Sequence, residues 1–157
     1  MLIQNNEILL APVGIVLLDF YNVITKKHEL IRVHNMFVTA GKESLAARLS
    51  GVTSNNKGEI NWCALGTGTN APALADTNLQ TEIYRKQISV RSVSGKVATF
   101  QTFFTTSEAN GTLREAGLFG DDAGSTPGSG TLFCRTAINR TKTSNDTLSL
   151  TWSVTIG

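Results

Sequence analysis

Charge is scarce in this chain. Of 157 residues only 17% are Asp, Glu, Lys or Arg, and the formal net charge is +2. A near-neutral chain lacks the concentrated basic face by which nucleic-acid binders engage phosphate, so no nucleic-acid partner is expected. Histidine is nearly absent, with only His28 in a polar turn and His34 in a strand-like run. Neither has an orienting carboxylate or second ligand nearby in the sequence, which argues against general-base or metal chemistry at either. Two cysteines, Cys63 and Cys134, lie inside apolar runs without ligand spacing. They are expected as buried free thiols, with a disulfide between neighbouring strands as the alternative. No metal or other cofactor is implied. The segment before Pro12 has no basic region, and Glu7 and Asp19 interrupt the apolar residues around it, so neither a signal peptide nor membrane insertion is expected. Three Asn-x-Thr triplets, at Asn110, Asn139 and Asn145, are expected to be turn residues.

Thr, Ser, Asn and Gly take the place of charge, and this composition suits strands and turns. The chain is long enough for one domain with its own core. The clearest segment is the last: Leu148, Leu150, Trp152, Val154 and Ile156 alternate with Ser149, Thr151, Ser153 and Thr155. Alternation places the first five on one face, predicted to be buried. Strands are also predicted at Val13–Ile24, Leu30–Val38, Glu59–Leu65, Lys96–Thr106, Leu113–Gly120 and Leu132–Ile138. The first two form a hairpin across Thr25–His28, and Asn110-Gly111 marks another. Tyr84, Ile88 and Val90 share the oily side of a further strand, with Arg85, Gln87, Ser89 and Arg91 on the wet side. Phe100 and Phe103 have opposite parity, which calls for two covered faces or a bulge.

One helix is predicted over Lys42–Leu49, with Leu45, Ala46 and Leu49 on its apolar face and Gly51 at its end. About eight strands and one short helix make an all-β fold, an antiparallel sandwich or jelly-roll-like arrangement. Residues 1–29 are expected as an N-terminal arm and first strand, and residues 30–157 as the sandwich with which that strand is continuous. Ile8, Leu9 and Leu10, just before Pro12, suggest an assembly arm; an edge strand of the same subunit is the other reading.

The loop from Gly66 to Thr81 begins Gly66-Thr67-Gly68-Thr69. It lacks the further glycines or the Gly-Lys-Ser/Thr ending of a phosphate cradle, and its glycines are expected to supply left-handed backbone. Glu82, Glu108 and Glu115, with Arg85 and Arg114 as companions, pose the question of paired-carboxylate chemistry such as glycan hydrolysis. The same residues equally form structural ion pairs, Glu82 with Arg85 and Glu115 with Arg114 or Arg135, which is the reading preferred here.

The succession NMFVTAGKESLAARLSG, WCALGTGTNAPALADTNLQTEIYRK, LREAGLFG, GTLFCRTAI and DTLSLTWSVTI resembles a family of tailed-bacteriophage virion structural proteins, over about Leu30 to Ile156. Its most specific parts are Gly66 and Gly68 followed by Asp76 and Glu82, and the Glu115–Phe119 segment. The resemblance implies no enzymatic activity, self-association, virion localisation and partners among other virion proteins. A tail-associated place (fibre, collar or baseplate adaptor) is preferred, against a capsid decoration protein or a receptor- or carbohydrate-binding module at a tail tip that would meet a host surface receptor. The loops at Thr67–Asp76 and Asp121–Ser129 contain no aromatic platform for sugar stacking.

Overall fold

The computed structural model describes residues 13–51 and 59–156. Ile8, Leu9, Leu10 and the polar stretch 52–58 lie outside the described residues. Among the described residues nine strands and one helix follow in the order β1 (Val13–Asn22), β2 (Lys27–Phe37), α1 (Thr39–Ser50), β3 (Trp62–Gly66), β4 (Glu82–Gln87), β5 (Val90–Ser94), β6 (Val97–Phe104), β7 (Gly111–Gly120), β8 (Thr131–Lys142) and β9 (Asp146–Thr155). The fold is all-β and antiparallel. Its strands form one sheet in the order β4-β3-β7-β8-β2-β1-β9-β6-β5.

The two layers predicted from alternation are halves of this single curled sheet, and β2 joins them. Residues 27–35 of β2 pair with β1, whereas Met36 and Phe37 pair with Arg135 and Cys134 of β8. The main core lies between the halves: Val16, Leu18, Phe20, Leu148, Leu150 and Trp152 from one meet Cys63, Leu65, Leu118 and Phe133 from the other. Leu148, Leu150, Trp152 and Val154 are buried as the period-two pattern requires, but Ile156 is 44% exposed, because it lies one residue beyond β9.

The ninth strand arises where one was expected. The run from Glu82 to Ser94 breaks at Ile88-Ser89, so β4 ends one edge of the sheet and β5 ends the other. Ile88 turns into the core at this corner, held by its amide on the Asn61 carbonyl (2.8 Å), while Val90 is half exposed. Neither outcome foreseen for Phe100 and Phe103 occurs. β6 runs in unbroken register along β9, Phe100 and Phe104 face the core, and Phe103 is left 45% exposed on the outer face.

The helix spans Thr39–Ser50 and ends at Gly51 in a left-handed conformation, as expected. Its buried face overlaps the predicted one only at Leu45, which packs against the main core. Leu49 is 83% exposed, and the residues turned inward are Gly41 and Ser44, with Leu45 and Arg48 half-buried. Two contacts select this face. A Cβ on Gly41 would lie 2.6 Å from the Phe133 Cα, so only glycine lets α1 rest directly on β8. Ser44 Oγ and Arg48 Nη2 both donate to the buried carboxylate of Asp121, each at 2.8 Å, and the Arg48 guanidinium lies over the Phe133 ring. In an open helix Gly→Ala stabilises by about 1 kcal/mol. Here Gly41→Ala is expected to destabilise by about 1–3 kcal/mol, as overpacking does, which urea unfolding followed by circular dichroism will read.

Both thiols are free and buried. Cys63 and Cys134 pair with Leu118 from opposite sides, which sets their backbones two strand spacings apart, about 10 Å. That separation is too large for a disulfide. Burial pushes the Cys63 thiol up to about 12 and pushes Cys134 up as well. Neither thiol is expected to react with an aromatic disulfide reagent until the protein unfolds; rapid labelling of one native thiol would show that this part of the core opens.

Candidate functional site

The half-sheet β4-β3-β7-β8 has a second covered face. On β7, Ala116 and Leu118 point into the main core, so Glu115, Gly117 and Phe119 point the other way. Two loops close over them. Residues 67–81 connect β3 to β4, and residues 121–130 connect β7 to β8. Leu79 from the first loop joins Ala64, Phe119, Leu132 and Val38 in a small apolar cluster. A face expected to be wet is therefore dry, and Arg85, only 9% exposed, lies within it.

Glu115 is the centre of the first loop. Its side chain is 1% exposed. Oε1 accepts the amide N–H of Gly68 (3.0 Å) and of Thr81 (2.7 Å); Oε2 accepts the Gln80 amide (2.9 Å) and Arg135 Nε (3.1 Å) and Nη2 (2.8 Å). Between Arg135 and Arg114, the two partners open from the sequence, the structure selects Arg135. The same guanidinium reaches Asp76 Oδ2 (2.6 Å) and the Asn70 carbonyl (3.0 Å). Asp76 in turn accepts the Ala73 amide at 2.8 Å. One buried carboxylate, one buried guanidinium and one loop carboxylate thus tie both ends and the middle of the segment to the sheet.

This arrangement corrects the reason for the glycines. Gly66 and Gly68 are absent from the residues with positive φ. A Cβ on either would lie 2.5 Å from Glu115 Oε1, and on Gly66 also 2.5 Å from the Thr81 carbonyl oxygen. They are glycines so that the backbone can approach the carboxylate.

The second loop has a similar device. Glu82 and Arg85 form a bidentate pair, with Arg85 Nη2 donating to Glu82 Oε2 at 2.8 Å. Arg85 Nη1 donates to the carbonyls of Gly124 (3.0 Å) and Ser129 (3.1 Å), and Gly128 donates its amide to Glu82 Oε2. The Arg85 guanidinium stacks over Phe119, 4.6 Å from the ring centre. Of the residues singled out from sequence, Gly66, Gly68, Asp76, Glu82, Arg85, Glu115 and Phe119 all meet on this one face.

The third acid, Glu108, lies apart. Burial alone would raise its carboxyl, but hydrogen bonds from Lys86, the Thr105 amide and Tyr84 outweigh that and hold it at about 2. A carboxyl depressed from its ordinary 4.5 contributes stability that is fully present above that value and is lost as pH falls toward 2. Asp76 and Asp146 are depressed too, against burial, by Arg135 and Ala73 and by Thr143 and Asn22 respectively. The midpoint urea concentration is therefore expected to fall steadily from pH 4.5 to 2 and to be flat just above; in Glu108→Gln the fall should be shallower.

Sequence reasoning missed three groupings. Asp121 binds α1 through Ser44 and Arg48. His28 does have a carboxylate, with Asp19 Oδ1 2.8 Å from Nδ1, because the β1–β2 register puts Tyr21 opposite His28 and Asp19 one pair further along the same face. The pair is exposed on the outer face. Lys142 is only 1% exposed. Only the first had a signal in the sequence, the doubled acid Asp121-Asp122 after a strand.

The chemistry open to these acids is limited. Five donors saturate the lone pairs of Glu115, and Glu82 is held by Arg85 and Gly128, so neither oxygen pair is free to take a proton from a substrate. Among the described residues no group of three or more His, Cys, Asp or Glu could hold a metal ion, and no helix is long and apolar enough to cross a membrane. No protein-family model, curated protein or solved structure matches the chain.

Proposed function

We propose that the protein is a non-enzymatic structural component of a tailed-phage virion, one that self-associates and docks on other virion proteins, with a tail-associated place as fibre, collar or baseplate adaptor. The observation that supports this reading best is the use made of its acids. The residues that carry the family resemblance, Gly66, Gly68, Asp76, Glu82 and Glu115, are spent on clamping two long loops to a sheet face. Loops fixed in this way offer a rigid surface, which a repeated subunit needs more than it needs a mobile lid. The outer face of the other half-sheet supports it too: Leu17, between Arg32 and Thr151, Leu30, opposite Asp19, and Phe103, opposite Ser149, are exposed there, and apolar residues so placed suit contact with a neighbouring subunit.

Deletion of Met1–Pro12, followed by size-exclusion chromatography with light scattering and by particle incorporation, tests the assembly arm. Loss of the oligomer or of incorporation is expected. An unchanged oligomer together with unchanged incorporation would remove the arm from the account.

A further inference from the structure

We propose that Lys142 and Asn110 are reaction partners, and that the folded chain joins them by an isopeptide bond between Lys142 Nζ and Asn110 Cγ. Lys142 ends β8 and is among the largest fully buried side chains of the protein. A buried ammonium ordinarily has a carboxylate against it. Among the described residues this one does not; Nζ donates to two neutral oxygens, the Thr105 carbonyl (2.8 Å) and Asn110 Oδ1 (2.9 Å). The acidic charges that act on it are those of Asp146 and Glu108. Each is engaged elsewhere, Asp146 by Thr143 and Asn22, Glu108 by Lys86, Tyr84 and Thr105.

The fold holds the two groups together. Lys142 is opposite Gly111 at the last pair of the β7–β8 ladder, so Asn110 is the next residue beyond it. The carboxamide is fixed from its far side, where Nδ2 donates to the Thr106 carbonyl at 2.9 Å. Ala109, with φ 52, sets the turn that presents it. Nζ is held on Oδ1, the oxygen bonded to Cγ, and a nucleophile kept beside its target gains effective concentration. Burial also lowers the Lys142 pKa, more than Asp146 and Glu108 raise it, and so enlarges the neutral fraction that can attack.

In the reaction the neutral amine adds to Cγ, the new N–C bond forms and the Cγ–Nδ2 bond breaks. The proton lost by Nζ goes to Nδ2, which leaves as ammonia. No oxidant, reductant or cofactor enters. Asn110 is exposed, so the ammonia formed at its carboxamide can leave to solvent. With no carboxylate bonded to either nitrogen, the step is slow, proceeding during incubation rather than during folding. Its product would tie β7 to β8 across 32 residues of chain.

The test is intact mass spectrometry and peptide mapping of the full chain after prolonged incubation at mildly alkaline pH. The expected result is the loss of one ammonia per chain and a branched peptide containing both residue 110 and residue 142. Neither Lys142→Arg nor Asn110→Ala should yield the branched peptide. The Asn110-Gly111 step offers a competing route, attack by the Gly111 nitrogen on the same carbon, which also releases ammonia but leaves the Lys142 peptide unlinked. An unchanged wild-type mass, or ammonia loss with only unlinked peptides, overturns the proposal. The wild-type measurement decides even where a variant fails to fold.

Discussion

Glu115→Ala is expected to lower the free energy of unfolding by about 3–5 kcal/mol, the cost of leaving one partner of a buried ion pair without the other. The figure follows from what would be stranded. Arg135, with its side chain 3% exposed, would keep only Asp76 and the Asn70 carbonyl. The amides of Gly68, Gln80 and Thr81 would lose their acceptor, and each unmet buried donor adds to the penalty. The effect should concentrate in the loop, so hydrogen exchange should accelerate across residues 67–81 and remain slow in β9. Replacing both Glu115 and Arg135 with methionine should recover part of the loss, because the two most deeply buried charges are removed together and only Asp76, at the 21% exposed end of the network, loses its cation. If the double variant is as unstable as the single, the amide hydrogen bonds outweigh the charge pair.

Arg85→Ala is expected to have a comparable effect, again about 3–5 kcal/mol, but in the other loop. Glu82, with its side chain 7% exposed, would lose its bidentate partner, and the Gly124 and Ser129 carbonyls would lose their donor. The stacking on Phe119 would go as well, worth about 0.5–2 kcal/mol where desolvated. Arg85→Lys should recover only part, since an ammonium cannot span both carboxylate oxygens and cover a ring together. The two clamps share no hydrogen-bonded partner, so Glu115→Ala and Arg85→Ala should combine additively. Urea unfolding of the two single variants and the pair measures this; a clear departure would mean that the loops act as one unit.

Much of the sheet is legible in the sequence because its strands have one face in the core. β9 is the plainest case, four alternating aliphatic and aromatic residues that all proved buried. The hairpin of β1 and β2 is nearly as plain. The errors arise where tertiary contacts override local pattern. The face of α1 is decided by the fit of Gly41 on Phe133 and by Asp121, a residue 77 positions from Ser44. The split between β4 and β5 leaves no mark because Ile88 continues the apolar parity of the run while the chain turns from one sheet edge to the other.

The candidate site was legible as residues but not as an arrangement. Gly66 and Gly68 stood out, yet their purpose depends on a carboxylate 47 residues beyond Gly68. Arg85 looked solvated because alternation put it opposite Tyr84 and Ile88. Only the closure of residues 121–130 over β4 shows that both faces are covered. Pairwise charge matching identified Glu82 with Arg85, three residues apart, more readily than Glu115 with Arg135, twenty apart.

The central claim, a subunit with clamped loops that serves assembly, is tested most directly by a cryo-electron microscopy map of the intact particle. The account predicts density for this chain in several symmetry-related copies on the tail, with residues 67–81 and 121–130 ordered and at least one exposed face against a neighbouring protein. A particle map without the chain, from a host that expresses it as a stable monomer, would contradict it.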